Sequence, residues 1–136
     1  MQAMIPLNEL KPGDWVMAKY EEETKQGSIV QVDHEAKQAC VAFEENDTEY
    51  WYEPQDLSPI PLDEAQLLKL QFTLQNGNTP NGKLYVKGPF SIIWYAPGHH
   101  PQLILHYRDE SRQLGEAIMV HQLQNHYHGM TNYSLA

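Results

Sequence analysis

Aromatic residues in the first half of the chain have the composition of a site for a positively charged ligand. Tyr50, Trp51 and Tyr52 are consecutive, and Trp15 and Tyr20 lie in an earlier predicted strand. Aromatic faces beside carboxylates attract cations, and glutamates flank these rings at Glu44, Glu45, Glu49 and Glu53. Because neighbouring strand residues point to opposite faces, we expect Trp51 to face away from Tyr50 and Tyr52. Cross-strand aromatic packing is the alternative interpretation. The candidate binding residues are Trp15, Tyr20, Glu49, Tyr50, Trp51, Tyr52 and Glu53.

The histidines and the single cysteine are weaker candidates for chemistry. His121 and His128 are seven residues apart, which on a helix separates them by about 10 Å. A zinc-binding helix instead uses a spacing of four. His99 and His100 are adjacent in a predicted loop, and Cys40 lies on a predicted strand, where a small buried hydrophobe is expected. We therefore predict no metal site, no cofactor and no catalytic residue, although an unmarked catalytic site remains an alternative.

A glycine-rich segment resembles a phosphate-binding loop only superficially. Residues 77–83 fit G-x-x-x-x-G-K, but Leu84 stands where a phosphate loop needs serine or threonine. The predicted order is also helix and then strand, whereas phosphate binding needs a strand followed by a helix. We expect an Asn/Gly-rich turn here.

The strands that must position the aromatic residues form a compact series in the first half. Strands are predicted at residues 15–20, 28–32, 39–43 and 48–53, with a charged loop at residues 21–27. Short strands joined by polar turns are typical of an SH3-like or Tudor-like barrel. Prolines at positions 54, 59 and 61 interrupt the pattern, because proline cannot donate to a sheet ladder. We therefore expect residues 1–62 to form an SH3-like/Tudor-like β unit.

The second half is predicted to contain a helix, a β meander and a closing helix. Asp63 can cap the first helix, with Gln66 three residues later, and residues 75–82 end it. Strands are predicted at residues 83–87, 90–95, 103–107 and 113–118, and a helix at residues 120–130. The fold class is α+β: an N-terminal SH3-like antiparallel β unit, a linking helix, a second antiparallel β meander and a C-terminal helix. We expect residues 63–136 to pack with the first unit as one compact body, because each part alone has a small core.

Composition and charge restrict the function classes. The 136 residues carry a net charge of −9, which argues against general nucleic-acid binding. Residues 1–64 contain 15 acidic and 4 basic residues, and residues 65–136 contain 3 acidic and 5 basic residues. The acidic half could be a solvated surface, a face for a basic partner, or a mimic of nucleic-acid phosphates. The absence of a long apolar run or signal peptide predicts no membrane association, and a single cysteine fits the cytoplasm.

Three segments resemble a family of small proteins of Bacteroidetes and their phages. Residues 8–16, NELKPGDWV, resemble the family's NELRIGNYV opening, and residues 58–70, SPIPLDEAQLLKL, resemble its PIPLTEEWLLKFGF segment. Residues 120–127, VHQLQNHY, are similar to its VHQLQNLYFALTG ending. No activity is established for this family, so the resemblance assigns no catalytic residue. It implies a bacterial or phage cytoplasmic protein, and it suggests that residues 59–62 and 121–125 dock the two helices around one core.

These observations predict a non-enzymatic protein-interaction module whose acidic N-terminal half contacts a partner protein. One alternative is a nucleic-acid mimic or a nucleic-acid-associated phage factor. A second alternative is a small enzyme or metal-binding protein that uses the histidine-rich half. Homo-oligomerisation is compatible with any of the three.

Overall fold

Two units of antiparallel sheet make up the described chain. A computed structural model describes residues 5–43, 48–79, 82–95, 102–115 and 118–135. These residues form two five-stranded antiparallel sheets and two α-helices, which confirms the predicted α+β class. One unit comprises Met1–Pro61 with Met119–Ala136, and the other comprises Leu62–Ile118. They are called the first and the second unit below.

The first unit contains a sheet of strands in the order β4-β3-β2-β1-β5. Its elements are β1 (Trp15–Tyr20), β2 (Glu23–Asp33), β3 (Gln38–Phe43), β4 (Thr48–Tyr52) and β5 (Leu57–Ser58), with a 3₁₀ turn at Pro54–Asp56 before β5. This meander, in which a short last strand returns to pair with β1, has the predicted SH3-like arrangement. Alternate residues of β1 and of the middle of β2 are buried, as period-two patterning requires, and β3 buries Cys40 as well as Ala39, Val41 and Phe43. The buried residues of β1 and β2 include Val16, Ala18 and Ile29.

The predicted charged loop at residues 21–27 is wrong over most of its length. β2 begins at Glu23 and pairs with β1 from Tyr20 back to Trp15, so the turn consists of Glu21 and Glu22. Backbone ladder bonds do not depend on side-chain polarity, and one face of this hairpin lies in solvent. Gly27 is needed within it, because a Cβ there would lie 2.6 Å from Cγ1 of Val41.

The C-terminal helix, α2 (Val120–Thr131), lies with the first unit. This division differs from the predicted grouping of residues 63–136. The backbone explains the placement, because Pro61 pairs with Met119 in an isolated antiparallel bridge. The N–H of Val120 also donates to the carbonyl of Ile60 at 2.8 Å. Both contacts return the chain to the first unit where the helix begins.

The second unit contains a helix followed by a five-stranded meander in the order β10-β9-β8-β7-β6. Its elements are α1 (Glu64–Lys69), β6 (Thr73–Thr79), β7 (Gly82–Lys87), β8 (Phe90–Trp94), β9 (Leu103–Tyr107) and β10 (Glu110–Leu114). Asp63 caps α1 as predicted, since its carboxylate accepts from the N–H of Gln66 at 2.8 Å. The segment at residues 75–82, predicted to end the helix as a turn, instead belongs to β6 over residues 75–79, and residues 80 and 81 lie outside the described residues. Pairing with β7 stabilises β6 despite its polar sequence.

Candidate functional site

Four aromatic rings form a continuous cluster in the first unit, here called the aromatic cluster: Tyr20, Phe43, Tyr50 and Tyr52. The centroid of Tyr20 lies 5.3 Å from that of Phe43 and 5.6 Å from that of Tyr50. The Tyr50 and Tyr52 centroids are 6.4 Å apart and nearly perpendicular. Phe43 is buried, whereas Tyr50 is 40% exposed. The cluster therefore has a buried base and an accessible edge.

The register of the strands explains why these rings meet. Tyr50 is paired with Val41 and Tyr52 with Ala39, so both tyrosines share the face of buried β3 residues. Tyr20 ends β1 on the same face as Val16 and Ala18, which are fully buried. The aromatic cluster thus continues the core of the first unit to its surface.

The charges of two carboxylates act on the hydroxyl groups of the aromatic cluster. The pKa of Tyr50 is raised above its ordinary value. The largest cause is a hydrogen bond with Tyr20, and burial and the charge of Glu21 contribute less. The pKa of Tyr52 is raised mainly by burial. Electrostatic interactions with Tyr50, Tyr20 and the Asp56 carboxylate raise it further. Both phenols are therefore neutral at physiological pH, and the negative charge that acts on them comes from Glu21 and Asp56.

A cation of the chain itself already sits on the aromatic cluster. Nζ of Lys25 lies 5.0 Å from the centroid of the Tyr20 ring, within the usual range of a cation–π contact. The neighbouring turn forms an open depression of about 700 Å³ that is lined by Lys19, Glu21, Glu22, Glu23 and Thr24. The surface around Tyr20 can therefore hold an ammonium group.

The tryptophans predicted for the site lie apart from the aromatic cluster. Trp51 pairs with Cys40 and faces away from Tyr50 and Tyr52, as predicted, with 47% of its surface exposed. Trp15 pairs with Ser28 at the start of β1, on the opposite face from Tyr20. Burial, with the charge of Glu49, raises the pKa of the Cys40 thiol, so the expected structural cysteine is the better description.

The predicted glutamates divide in a similar way. Glu49 is exposed on the face of Trp51, and Glu53 is exposed just after β4, where its carboxylate accepts from Nε2 of Gln55. Glu44 and Glu45 lie outside the described residues. Two carboxylates whose charges raise the pKa values of the tyrosines, Glu21 and Asp56, were not predicted as site residues. Glu21 lies in the turn after β1 and Asp56 in the 3₁₀ turn after β4, and the sequence pattern contains no signal that places either beside the tyrosines.

A second polar arrangement joins α2 to the chain before β1, and we call it the polar clamp. Gln124 is 1% exposed; its Oε1 accepts from the N–H of Trp15 at 2.7 Å and its Nε2 donates to the carbonyl of Gly13 at 2.9 Å. Asn125 donates to the carbonyl of Glu9 at 2.7 Å, and Nε2 of His121 lies 3.0 Å from Oε1 of Glu9. The polar clamp thus joins two of the three segments that carried the family resemblance.

Asp14 is a buried carboxylate beside the polar clamp. Its side chain is fully buried and accepts from the backbone N–H of Lys11 at 3.1 Å and from the Lys11 ammonium. Burial raises the pKa of Asp14, although Lys11 and His121 act in the opposite direction. The cost of burying this carboxylate exceeds the electrostatic compensation by its neighbours.

One smaller network of ionisable groups lies in the second unit. Tyr85 is 2% exposed and its hydroxyl donates to the carboxylate of Glu64, which also lies 3.5 Å from Nζ of Lys83. The hydrogen bond from Tyr85, with the charge of Lys83, lowers the pKa of Glu64. Burial, with Glu64, raises the pKa of Tyr85. These contacts tie β7 to the start of α1.

The described part of the chain contains neither a cluster of metal-ligating side chains nor a membrane-spanning helix. No three His, Cys, Asp or Glu side chains within it converge to hold a metal ion. His99 and His100 lie outside the described residues. Among the helices described, none is long and apolar enough to cross a bilayer.

Comparison with protein families, with curated proteins and with solved structures gives no significant match to this chain.

Proposed function

We propose that the chain is a non-enzymatic interaction module of bacterial or phage cytoplasm, whose first unit binds a basic segment of a partner protein. The observation that carries the proposal is the aromatic cluster, with the ammonium of Lys25 on the Tyr20 ring. A lysine or arginine of a partner has the same chemistry as this internal cation. The bacterial or phage origin rests on the three segments of family resemblance.

The charge distribution supports a basic partner. Within its sequence bounds the first unit has 13 acidic and 4 basic residues, whereas the second unit has 5 of each. The net charge of −9 therefore belongs to the unit that contains the aromatic cluster. A field of this sign attracts cationic segments and speeds their encounter.

The aromatic rings favour binding of a cationic side chain as the function of this surface. Mimicry of nucleic-acid phosphates is the alternative that the sequence left open. The charges of Glu21 and Asp56 act on tyrosine rings that are neutral. A mimic of a phosphate backbone would be expected to present carboxylates in regular rows. Cation–π contacts, in contrast, need an aromatic face with nearby negative charge.

A titration followed by NMR tests the proposal. The probe is a capped peptide of alternating valine and lysine, added to the full chain at low salt; the control peptide alternates valine and glutamate. We expect the valine–lysine peptide to shift the ring resonances of Tyr20, Tyr50 and Tyr52, and the control to leave them unchanged. Unchanged tyrosine resonances with both peptides, or equal shifts with both, would overturn the proposal.

A further inference from the structure

We infer that the partner's basic segment binds in an extended conformation, as an additional antiparallel or parallel strand on the free edge of β4. This inference rests on the proposed function and specifies its binding mode. Strand addition supplies affinity through main-chain hydrogen bonds and specificity through alternate side chains.

β4 is an edge strand without the usual protection. In the described sheet it pairs with β3 on one side and terminates the strand order on the other. Edge strands commonly carry lysine, proline or a bulge, which prevents pairing with another chain. The sequence of Thr48–Tyr52 is TEYWY, and its pairing with β3 is regular. It exposes two large aromatic side chains, those of Tyr50 and Trp51.

The hydrogen-bond alternation of the sheet identifies the outward-facing backbone groups. The carbonyl of Ile29 accepts from the N–H of Gly13, and its N–H donates to the carbonyl of Asp14. Both backbone groups of Ile29 therefore point away from its β3 partner, Val41. In an antiparallel ladder, Val41 then directs its own groups toward β4, where it pairs with Tyr50. It follows that Tyr50 bonds to β3, whereas the N–H and carbonyl of its two neighbours, Glu49 and Trp51, point to the free edge.

The side chains flanking this edge select a basic and partly apolar strand. Tyr50 and Tyr52 lie on one face, where the charges of Glu21 and Asp56 act on their hydroxyl groups. Trp51 and Glu49 lie on the other face, both exposed. A strand that carries lysines beside the tyrosines and an apolar residue beside Trp51 complements both faces. Pairing of β4 with a second copy is disfavoured, because each first unit carries a charge of −9.

Amide hydrogen exchange on the full chain tests this binding mode. With the valine–lysine peptide bound, we expect the amides of Glu49 and Trp51 to exchange at least about tenfold more slowly, as hydrogen-bonded edge amides do. The Tyr50 amide is already paired with β3 and serves as the internal control. A peptide of the same length and charge, in which prolines replace the two central valines, should give no protection, because proline cannot donate to a ladder.

The outcomes separate this inference from the proposed function. Tyrosine shifts without protection of Glu49 and Trp51 would overturn strand addition and leave the proposed function standing. No shift and no protection would overturn both. Protection of the two amides before peptide is added, increasing with protein concentration, would show a second copy on β4 and would overturn the basic strand as its occupant.

Discussion

Oε1 of Gln124 accepts a hydrogen bond of 2.7 Å from the backbone N–H of Trp15, 109 residues earlier in the chain. The same side chain donates to the carbonyl of Gly13. These bonds hold the start of β1 against α2, and Tyr20 of the aromatic cluster ends the same strand. The helix therefore helps to position a strand that carries part of the proposed binding surface.

Gln124→Leu should lower the free energy of unfolding by about 2–4 kcal/mol. The substitution keeps most of the side-chain volume but leaves the N–H of Trp15 and the carbonyl of Gly13 without a partner, and each loss costs about 1–3 kcal/mol. Urea unfolding followed by circular dichroism measures the effect. Asn125→Ala, which removes one bond from a less buried position, should cost about 1 kcal/mol or less. Equal losses for the two variants would contradict a stabilising role for Gln124.

Asp14→Asn should gain stability relative to the wild type as the pH rises. Burial raises the folded-state pKa of Asp14 above its ordinary value of 3.8, so the folded protein holds this proton more tightly than the unfolded chain. The stability from this proton is complete below pH 3.8 and is lost as the pH rises through the raised pKa. Because asparagine does not ionise, the variant does not lose stability in this way as the pH rises. Its free energy of unfolding minus that of the wild type should increase from about pH 3.5 to about pH 7; a constant or decreasing difference would refute the buried-carboxylate explanation.

Tyr85→Phe should raise the pKa of Glu64 toward its ordinary value of 4.5. The Tyr85 hydroxyl is the largest cause of the lowered pKa, because it donates to the ionised carboxylate. Carbon-detected NMR titration of the Glu64 carboxyl measures the change. Tyr95→Phe, another tyrosine of the second unit, should leave the midpoint in place. An unchanged midpoint in Tyr85→Phe would show that this hydrogen bond does not determine the acidity of Glu64.

Lys25→Gln should strengthen binding of the valine–lysine peptide about two- to fivefold, because an exposed cation–π contact contributes about 0.5–1 kcal/mol. Removing the internal cation frees the Tyr20 ring for the peptide's lysine. Lys37→Gln, at an exposed lysine of the β2–β3 turn, makes the same change in net charge. Titration calorimetry compares the two variants. Equal gains would attribute the effect to net charge alone and would contradict competition at Tyr20.

Local sequence patterns predicted β1, β3, β4 and part of β2, as well as the opposite orientations of Trp51 and Tyr50. Period-two alternation is a property of each strand by itself, so it needs no knowledge of the partner strands. The Asp63 cap is local for the same reason. The polar sequence of Thr73–Thr79, in contrast, has no strand signal, and its pairing with β7 comes from tertiary structure.

The candidate site was predictable in part. The sequence indicated Tyr20, Tyr50 and Tyr52 as a group, but it also included Trp15, which lies on the other face of β1. Phe43 was not among the predicted site residues, and its contact with three tyrosines depends on the register of β3 with β4. Gln124 has no local signal at all, because its partners lie more than a hundred residues away.

The most direct test of cation binding by the aromatic cluster is the dissociation constant of the valine–lysine peptide for Tyr50→Ala and Tyr133→Ala. Both tyrosines belong to the first unit and are exposed, but Tyr133 lies outside the cluster. Loss of an aromatic anchor at a binding surface weakens affinity by about tenfold. We predict that loss for Tyr50→Ala and an unchanged constant for Tyr133→Ala. Equal constants for wild type and both variants would contradict the account.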